Sequence, residues 1–429
     1  QDEDVLDTWF SSWLWPISVF DTNKAGHPEA EPNKDLAYYY PTNDLVTGPD
    51  ILFFWVARMI MAGNEFMNDV PFRNVYLTGI VRDKLGRKMS KTLGNSPDPL
   101  DLIDKYGADA VRLGMLLCSS AGNDILYDES QIEQGRNFNN KVWNAFRLVT
   151  GWTVDAAAQQ SEASAVAVKW FENKLSQVVE TVNDHFSKFR ISDALMTIYK
   201  FFWDDFCAWY LEAVKPAYGA GIDKATYDAT IGFFDALLKM IHPIMPFITE
   251  ELWQNMAERK EGETIMNQRY PQAKAYDAEF ITAFEMATEA VAGVRNIRQS
   301  KNLSPREALD LKIKGDFPTE VLPVVMKLAN VTVAQAEGDM SAAQRFMVRT
   351  VEMFVPLTGL INVEEEIAKL EAELAYQQKF LDSVRKKLSN ERFVSNAPEA
   401  VVAVERKKES DSLSKIESIT ASLNALKNN

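Results

Sequence analysis

As far as residue 123 the apolar positions switch between two periods. A short β-rich run at 74–78 lies among helical patterns at 51–62 and 98–117, which predicts an α/β region. From 131 to 266 a spacing of three and four takes over, and amphipathic stretches at 137–149, 166–189, 192–217, 225–241 and 247–258 predict a helical bundle. Tyr270-Pro271 interrupts the pattern. A helix candidate at 278–300 then precedes two strand-like runs, 309–314 and 330–334, punctuated by Pro305 and Pro318, which suits a small α/β junction. Downstream, Leu360, Val363, Ile367, Leu370, Leu374, Gln377, Leu381, Val384 and Leu388 keep a heptad seam, the mark of a long coiled-coil helix. The polar stretch 389–396 and Pro398 turn the chain, and Val402, Ile416, Ile419, Leu423 and Leu426 form a weaker returning seam, so an antiparallel helical hairpin is expected. The fold class is therefore multidomain, α/β plus all-α, in segments 1–130, 131–275, 276–358 and 359–429.

A chain of 429 residues has room for about three domains of ordinary size. Its composition, 46% hydrophobic and 11% aromatic, is that of a folded chain and excludes disordered, collagen-like and mucin-like readings. Lys and Arg number 46 against 61 Asp and Glu, a net charge of −15, so the averaged field repels nucleic acid and acidic membranes. A nucleic-acid partner has to meet local basic surface. Cys118 and Cys207 are too few for a disulfide framework, and with three scattered histidines they provide no metal-ligand cluster; a reducing cytosol is the simplest compartment. The longest apolar run, 51–62, contains Arg58 and is too short to cross a bilayer, and the N-terminus has no signal-peptide pattern, so a soluble protein without a membrane partner is expected. The chain opens on Gln1 and passes from Asp2-Glu3-Asp4 straight into a dense aromatic segment, from which a fragment lacking its N-terminal part is expected.

Chemistry is most concentrated in Arg87-Lys88-Met89-Ser90-Lys91-Thr92-Leu93-Gly94-Asn95, which follows a strand-like run at 75–81 and is flanked by Gly86 and Gly94. Two lysines three apart on a glycine-flanked turn can meet a triphosphate from one side and neutralise charge that builds on its phosphoryl oxygens. Taken alone, Lys-x-x-Lys also reads as a solvated basic loop. The surrounding sequence separates the two readings.

Lys88-Met-Ser-Lys-Thr92, continued by Leu93-Gly-Asn-Ser96 and by Asp101-Leu-Ile-Asp-Lys-Tyr-Gly-Ala-Asp-Ala-Val-Arg112, resembles the KMSKS loop of the class I aminoacyl-tRNA synthetases. Four more stretches are similar to signatures of the valine-specific members of that family: Asp4-Val-Leu-Asp-Thr-Trp-Phe-Ser-Ser12, Val46-Thr-Gly-Pro-Asp-Ile-Leu-Phe-Phe-Trp-Val-Ala-Arg-Met59, Trp203-Asp-Asp-Phe-Cys-Ala-Trp-Tyr-Leu-Glu212 and His242-Pro-Ile-Met-Pro-Phe-Ile-Thr-Glu-Glu-Leu-Trp253. The resemblance covers essentially the whole chain, terminal hairpin included. Thr92 stands where the family usually has serine. No His-x-Gly-His occurs, the histidines being His27, His185 and His242, so the family's other ATP-binding signature is missing. The chain looks like the part of such an enzyme that follows its inserted editing domain.

The resemblance implies the second half of a Rossmann-like nucleotide-binding domain, then an anticodon-binding bundle, a small α/β junction and a tRNA-binding coiled-coil arm. It also implies a reaction in which valine and ATP, the latter with Mg²⁺ as substrate and not as a bound cofactor, give valyl-adenylate, from which the valyl group passes to tRNA for valine. Lys88, Ser90 and Lys91 are the catalytic candidates it marks, and Gly48, Asp50, Gly79, Val81 and Lys91 the ATP-binding ones. Trp9, Ile51 and Trp55 would wall the amino-acid pocket. Arg136, Lys141 and Arg147 in the bundle, with Arg385, Lys386, Lys387, Arg392, Arg406 and Lys407 on the arm, would meet tRNA. Without the resemblance, Gly48-Pro-Asp50 reads as a turn that starts a helix, the tryptophans as core and the arm cations as solvated faces of a coiled coil. The expectation is a monomer, inactive alone yet able to contribute tRNA binding, with no resident metal. Two alternatives stay open: an isoleucine- or leucine-specific member, and a stand-alone tRNA-binding module or scaffold.

Overall fold

The computed structural model describes residues 3–5, 7–20, 33–119, 123–340, 343–357, 363–390 and 399–427. They fall into two compact units, Gln1–Ala278 and Glu279–Asn429.

In the first unit, helices α1 (Thr8–Trp13), α2 (Trp15–Ser18) and α3 (Lys34–Tyr39) lead to strand β1 (Thr42–Thr47). Asp7 and Asn33 cap α1 and α3 by accepting bonds from first-turn amides. β1 pairs in parallel with β2 (Phe72–Leu77), Thr42 opposite Phe72 and Thr47 opposite Leu77, and the crossover between them carries α4 (Ala57–Met67). The spacing at 51–62 predicts a single α-helix there. The chain instead makes a 3₁₀ turn over Pro49–Ile51, a π-helical segment over Leu52–Val56 and only then α4. The wider turn leaves Phe53, Phe54 and Trp55 exposed, while Val56, Met59 and Phe72 form a small core with Trp13, Leu45, Leu52 and Ile60 packed on it. Segments of π-helix are frequent at functional sites.

β3 (Val81–Arg82) pairs in parallel with β4 (Ile125–Leu126). The one helical pattern expected over 98–117 is two helices, α5 (Pro99–Tyr106) and α6 (Ala108–Leu117). Gly107 divides them at φ 88°, ψ 147°, a conformation that no helix can pass through.

The bundle comprises α7 (Glu129–Thr150), α8 (Glu162–Ser187), α9 (Ile191–Lys200), a second π segment (Phe201–Tyr210), α10 (Leu211–Val214), α11 (Lys224–Ile241) and α12 (Pro246–Met256). A short parallel pair, β5 (Val154–Asp155) with β6 (Ile222–Asp223), ties two of its connections. Its centre is aromatic: the Phe171 ring lies 4.8 Å from Phe201, 4.8 Å from Tyr210, 5.0 Å from Phe233 and 5.3 Å from Phe206. α6 ties the α/β region to this bundle through two side chains. The buried Asp109 carboxylate accepts bonds from Phe247 N (3.3 Å) and Ile248 N (2.7 Å), capping α12, whose own cap residue Met245 has no side-chain acceptor. Arg112 donates to the carbonyls of Ile244 (2.8 Å) and Pro243 (3.1 Å) just before that helix.

The second unit contains α13 (Ala278–Ser300) from its second residue onward, together with a four-stranded sheet of order β8-β7-β10-β9. β7 (Leu309–Lys314) runs parallel to β8 (Val331–Gln335), with α14 (Leu322–Ala329) in the crossover. β9 (Ala343–Val348) and β10 (Val351–Pro356) form a hairpin, β10 antiparallel to β7. The sequence signals β7 and β8 but not this hairpin. Its turn has Arg349 at φ 52°, where the usual signal is Gly or Asn. α15 (Val363–Leu388) and α16 (Glu399–Lys427) pack on each other, burying Leu381, Val384, Val402, Ile419 and Leu423. Pairs Arg385–Glu409 (2.8 Å) and Lys387–Glu405 (3.9 Å) show that the two helices run in opposite directions. Among the described residues no helix is long and apolar enough to cross a membrane.

Candidate active site

Parallel strands gather ligands at their carboxyl ends. Here the ends of β1 and β2 are held level, since Thr78 N donates to Thr47 O at 2.9 Å. Gly48-Pro-Asp50 leaves the first of these ends and Thr78-Gly79 the second. Gly48 is extended (φ −78°, ψ 148°) and the Asp50 side chain is exposed at the start of the 3₁₀ turn. At Gly79 the restriction is steric: a Cβ there would lie 1.8 Å from the carbonyl oxygen of Asn123, so a side chain would force the two segments apart. Gly79 also lines a cavity of about 320 Å³ with Val46, Tyr76, Leu116, Ile125 and Phe189. Val81 follows at the head of β3, half-buried.

Beyond β3 the chain turns back, with Arg82 bridged antiparallel to Lys88 and the Arg82 side chain paired with Asp124. Asp83 organises the base of this loop. One of its oxygens accepts Leu85 N (3.0 Å) and Arg87 N (2.8 Å), and the other accepts Arg87 Nε (2.7 Å) and Asn95 Nδ2 (2.9 Å). The Asn95 amide, followed by Arg87, holds the Asp83 carboxyl well below the usual carboxylate range. Asn95 closes the loop from its far side: its Oδ1 accepts Ser90 N at 2.8 Å and its Nδ2 also reaches Lys88 O at 3.3 Å. Ser90 caps the short 3₁₀ turn Lys91–Leu93 by accepting from Thr92 N (3.2 Å), and the turn ends on left-handed Gly94. The Lys88 and Lys91 side chains stand exposed on this frame, their ammonium groups without a hydrogen bond or ion pair to other described residues. The geometry presents two free ammonium groups on a clamped base. Asp83 and Asn95 escape a reading of the motif itself, although Asp83-Lys-Leu-Gly86 has the Asp-first, Gly-last signature of a turn.

Of the pocket candidates, Trp9 (38% exposed) and Trp55 (40%) face outward and Ile51 is half-buried at the end of the 3₁₀ turn. Trp9 packs on Phe54, ring centres 5.7 Å apart, and the Arg58 guanidinium lies 3.8 Å over its ring. Phe54 and Arg58 are contacts that helical spacing does not single out, because the π turn shifts the register.

In the bundle, Arg136 is bonded to Glu133 (3.0 Å) and lies over Tyr106, Lys141 sits 5.4 Å over Trp203, and Arg147 is exposed. On the arm, Arg385 and Lys387 are engaged by Glu409 and Glu405, whereas Lys386, Arg406 and Lys407 are exposed and make no ion pair to other described residues. Arg392 lies outside the described residues, as do His27 and the rest of 391–398, where a chain reversal is expected from the sequence. His242 has a structural setting: its Nδ1 meets Thr249 Oγ1 at 2.7 Å, and burial lowers its pKa. Among the described residues no group of three or more His, Cys, Asp or Glu side chains is placed to hold a metal ion.

Three family models match the chain. Residues 1–128 match tRNA synthetases class I (I, L, M and V), residues 168–313 the anticodon-binding domain of tRNA ligase, and residues 362–427 the valyl tRNA synthetase tRNA binding arm. The valine–tRNA ligase of Parabacteroides distasonis is 58% identical over 427 residues, covering 99% of this chain and 48% of the relative. That of Phocaeicola vulgatus is 58% identical over 100% of this chain and 48% of its own length. That of Chlorobaculum tepidum is 38% identical over 99% and 50%. The chain spans about half the length of the curated relatives it matches.

Proposed function

Because the chain belongs to the class I tRNA synthetases, in their valine branch, we propose that it supplies the phosphate-gripping half of an activation site, together with the tRNA-binding bundle and arm, of a valine–tRNA ligase. The observation that carries this reading is the pair of unengaged lysines, Lys88 and Lys91, on the loop clamped by Asp83 and Asn95. In the proposed reaction a carboxylate oxygen of valine attacks the α-phosphorus of ATP and pyrophosphate leaves. Negative charge moves onto the departing β- and γ-phosphates, and Lys88 and Lys91 neutralise it there. Ser90 sets the turn from which Lys91 projects. Gly48 admits the nucleoside beside the β1 end, Asp50 accepts its ribose hydroxyls, and the backbone at Gly79 and Val81 borders the adenine. Trp9, Ile51 and Trp55 wall the valine side chain. A hydroxyl oxygen of the terminal tRNA ribose then attacks the adenylate carbonyl carbon, the mixed anhydride breaks, AMP leaves and the hydroxyl proton is lost, with Arg136, Lys141, Arg147 and the arm cations holding the RNA backbone.

The test is valine-dependent exchange of pyrophosphate into ATP, measured on this chain joined to an upstream half bearing His-x-Gly-His. Lys91→Ala should lower kcat by about 10²–10³ with a much smaller change in KM, as expected of a group that acts on charge developing in the transition state. Unchanged kcat would remove Lys91 from the mechanism. Exchange with isoleucine or leucine in place of valine would reassign the substrate.

A further inference from the structure

Acidic residues outnumber basic ones in the chain, yet between Glu289 and Glu307 it carries Arg295, Arg298, Lys301 and Arg306 and no carboxylate. None of these four figures among the tRNA-contact candidates above. Arg295 and Arg298 stand three apart on α13, so they share a face. Both reach the carboxyl end of α14: Arg295 Nη2 donates to Leu328 O at 3.4 Å, and Arg298 Nη2 to Ala329 O at 3.0 Å and Asn330 O at 3.1 Å. Arg298 Nη1 donates to Ser304 O at 2.7 Å. Arg298 is only 5% exposed, and its hydrogen-bond partners are these carbonyls; among the described residues no carboxylate makes an ion pair with it, although Glu307 is near enough to act on its charge.

A helix carboxyl end carries a partial negative charge of roughly half a unit, which steadies a buried guanidinium without cancelling it. A guanidinium has five N–H donors, and three carbonyl bonds leave Nε–H and one Nη1–H without an acceptor among the described residues. Arg298 and Arg295 line a cavity of about 350 Å³ with Gln299, Leu303, Pro305 and Leu328. A space of that volume is in the range of small-ligand sites. An anion with several acceptor oxygens would take up the remaining donors.

We propose that this cavity is a phosphate site and that its occupant is a backbone phosphate of tRNA, held by Arg298 and Arg295, with Lys301 and Arg306, close to them in the sequence, adding positive charge. The inference rests on the tRNA-binding reading above. RNA is favoured over free phosphate because the anticodon-binding match, residues 168–313, includes all four cations.

The experiment uses the whole chain and a tRNA transcript for valine, with binding read by fluorescence anisotropy across a salt series. Wild type is compared with Arg295→Gln/Lys301→Gln, which leaves the buried Arg298 in place, and with Lys386→Gln/Lys407→Gln on the arm. Melting curves check that each variant folds. Loss of one phosphate contact should make the slope of log K against log salt shallower by about 0.7–0.9, with affinity falling about 3–10-fold at low salt. In parallel, the Arg298 Nε–H resonance is followed on addition of tRNA and of inorganic phosphate. A shallower slope in the α13 variant, with tRNA shifting that resonance, supports the site. Wild-type binding with an unchanged slope and affinity in the α13 variant overturns the cavity and leaves the tRNA reading standing. Absence of wild-type binding removes both. A resonance that responds to inorganic phosphate, with tRNA binding by the variant unchanged, makes this a small-anion site and overturns the RNA assignment.

Discussion

Aromatic side chains meet opposite fates in the two parts of the first unit. Around α1, α2 and the first π segment, Trp9, Phe10, Trp15, Phe53, Phe54 and Trp55 are each 38% exposed or more. In the bundle Trp170, Phe171, Phe201, Phe206 and Trp253 are each 2% exposed or less. Composition does not separate the two sets, and neither does local spacing. The difference is a second layer: the bundle helices close on one another around Phe171, whereas the parallel pair β1–β2 has helices and a small core on it but leaves most of its aromatic rings bare. Bare apolar surface of this extent marks a place to be covered, by ligand or by protein. The valine pocket proposed at Trp9 and Trp55 lies within it.

The largest effect that would break this comparison is expected from Phe171→Ala set against Phe53→Ala. The first should cost about 3–5 kcal/mol in urea unfolding, because a ring that fills the bundle centre leaves a cavity behind. The second should stay within about 1 kcal/mol, since a side chain 79% exposed has little packing to lose. Equal losses would mean that the two regions are not built differently.

Next in size is the joint between them. Asp109→Asn replaces one of the two oxygens that accept Phe247 N and Ile248 N by a donor, and should cost about 1–3 kcal/mol. A variant as stable as wild type would show that α6 does not secure α12.

Acid titration sharpens the contrast, because the two carboxylates move in opposite directions. Burial, which outweighs the bonds from Ile248 and Phe247, raises the pKa of Asp109. With the folded value above the unfolded value of about 3.9, the fold favours the protonated form, so this group's contribution declines as pH rises through the folded pKa. Asp83 is lowered, first by Asn95, so its contribution is complete above about pH 3.9 and is lost only as pH falls through a much lower folded value. The stability gap between wild type and Asp109→Asn should therefore narrow as pH rises from the acid side. The Arg87 amide, bonded to Asp83, should keep its exchange protection below pH 4. Loss of that protection already at pH 5 would contradict the lowered Asp83.

The smallest effect on global stability belongs to Asn95→Ala. It should lie within about 1 kcal/mol, since the bonds lost are at a half-exposed loop, while Ser90 N–H loses its exchange protection and the Lys88–Lys91 turn loosens. An unchanged Ser90 amide would show that the loop is set by Asp83 alone.

Much of the architecture can be read in the residues. The three-and-four spacing from 131 to 266 needs only local periodicity, and the bundle's helices appear where it places them. The lysine loop is legible because Gly86, Ser90 and Gly94 act on their own neighbours, as turn, cap and stop. Elsewhere local signals mislead or fall silent. The π segment at 52–56 breaks an apparent helix, and Gly107 divides another. Arg349 turns a hairpin without turn chemistry.

By itself, then, the sequence determined the bundle's helices, the loop and its two lysines, and the match to a synthetase family, since each rests on residues near one another in the chain. Tertiary structure alone decided which tryptophans are covered. It also decided that Gly79 must be bare because Asn123 passes it, that Asp109 caps a helix far along the chain, and that Arg295 and Arg298 converge on the end of α14. Those outcomes depend on the distance between side chains remote in sequence, and periodicity in a single chain carries no record of that distance.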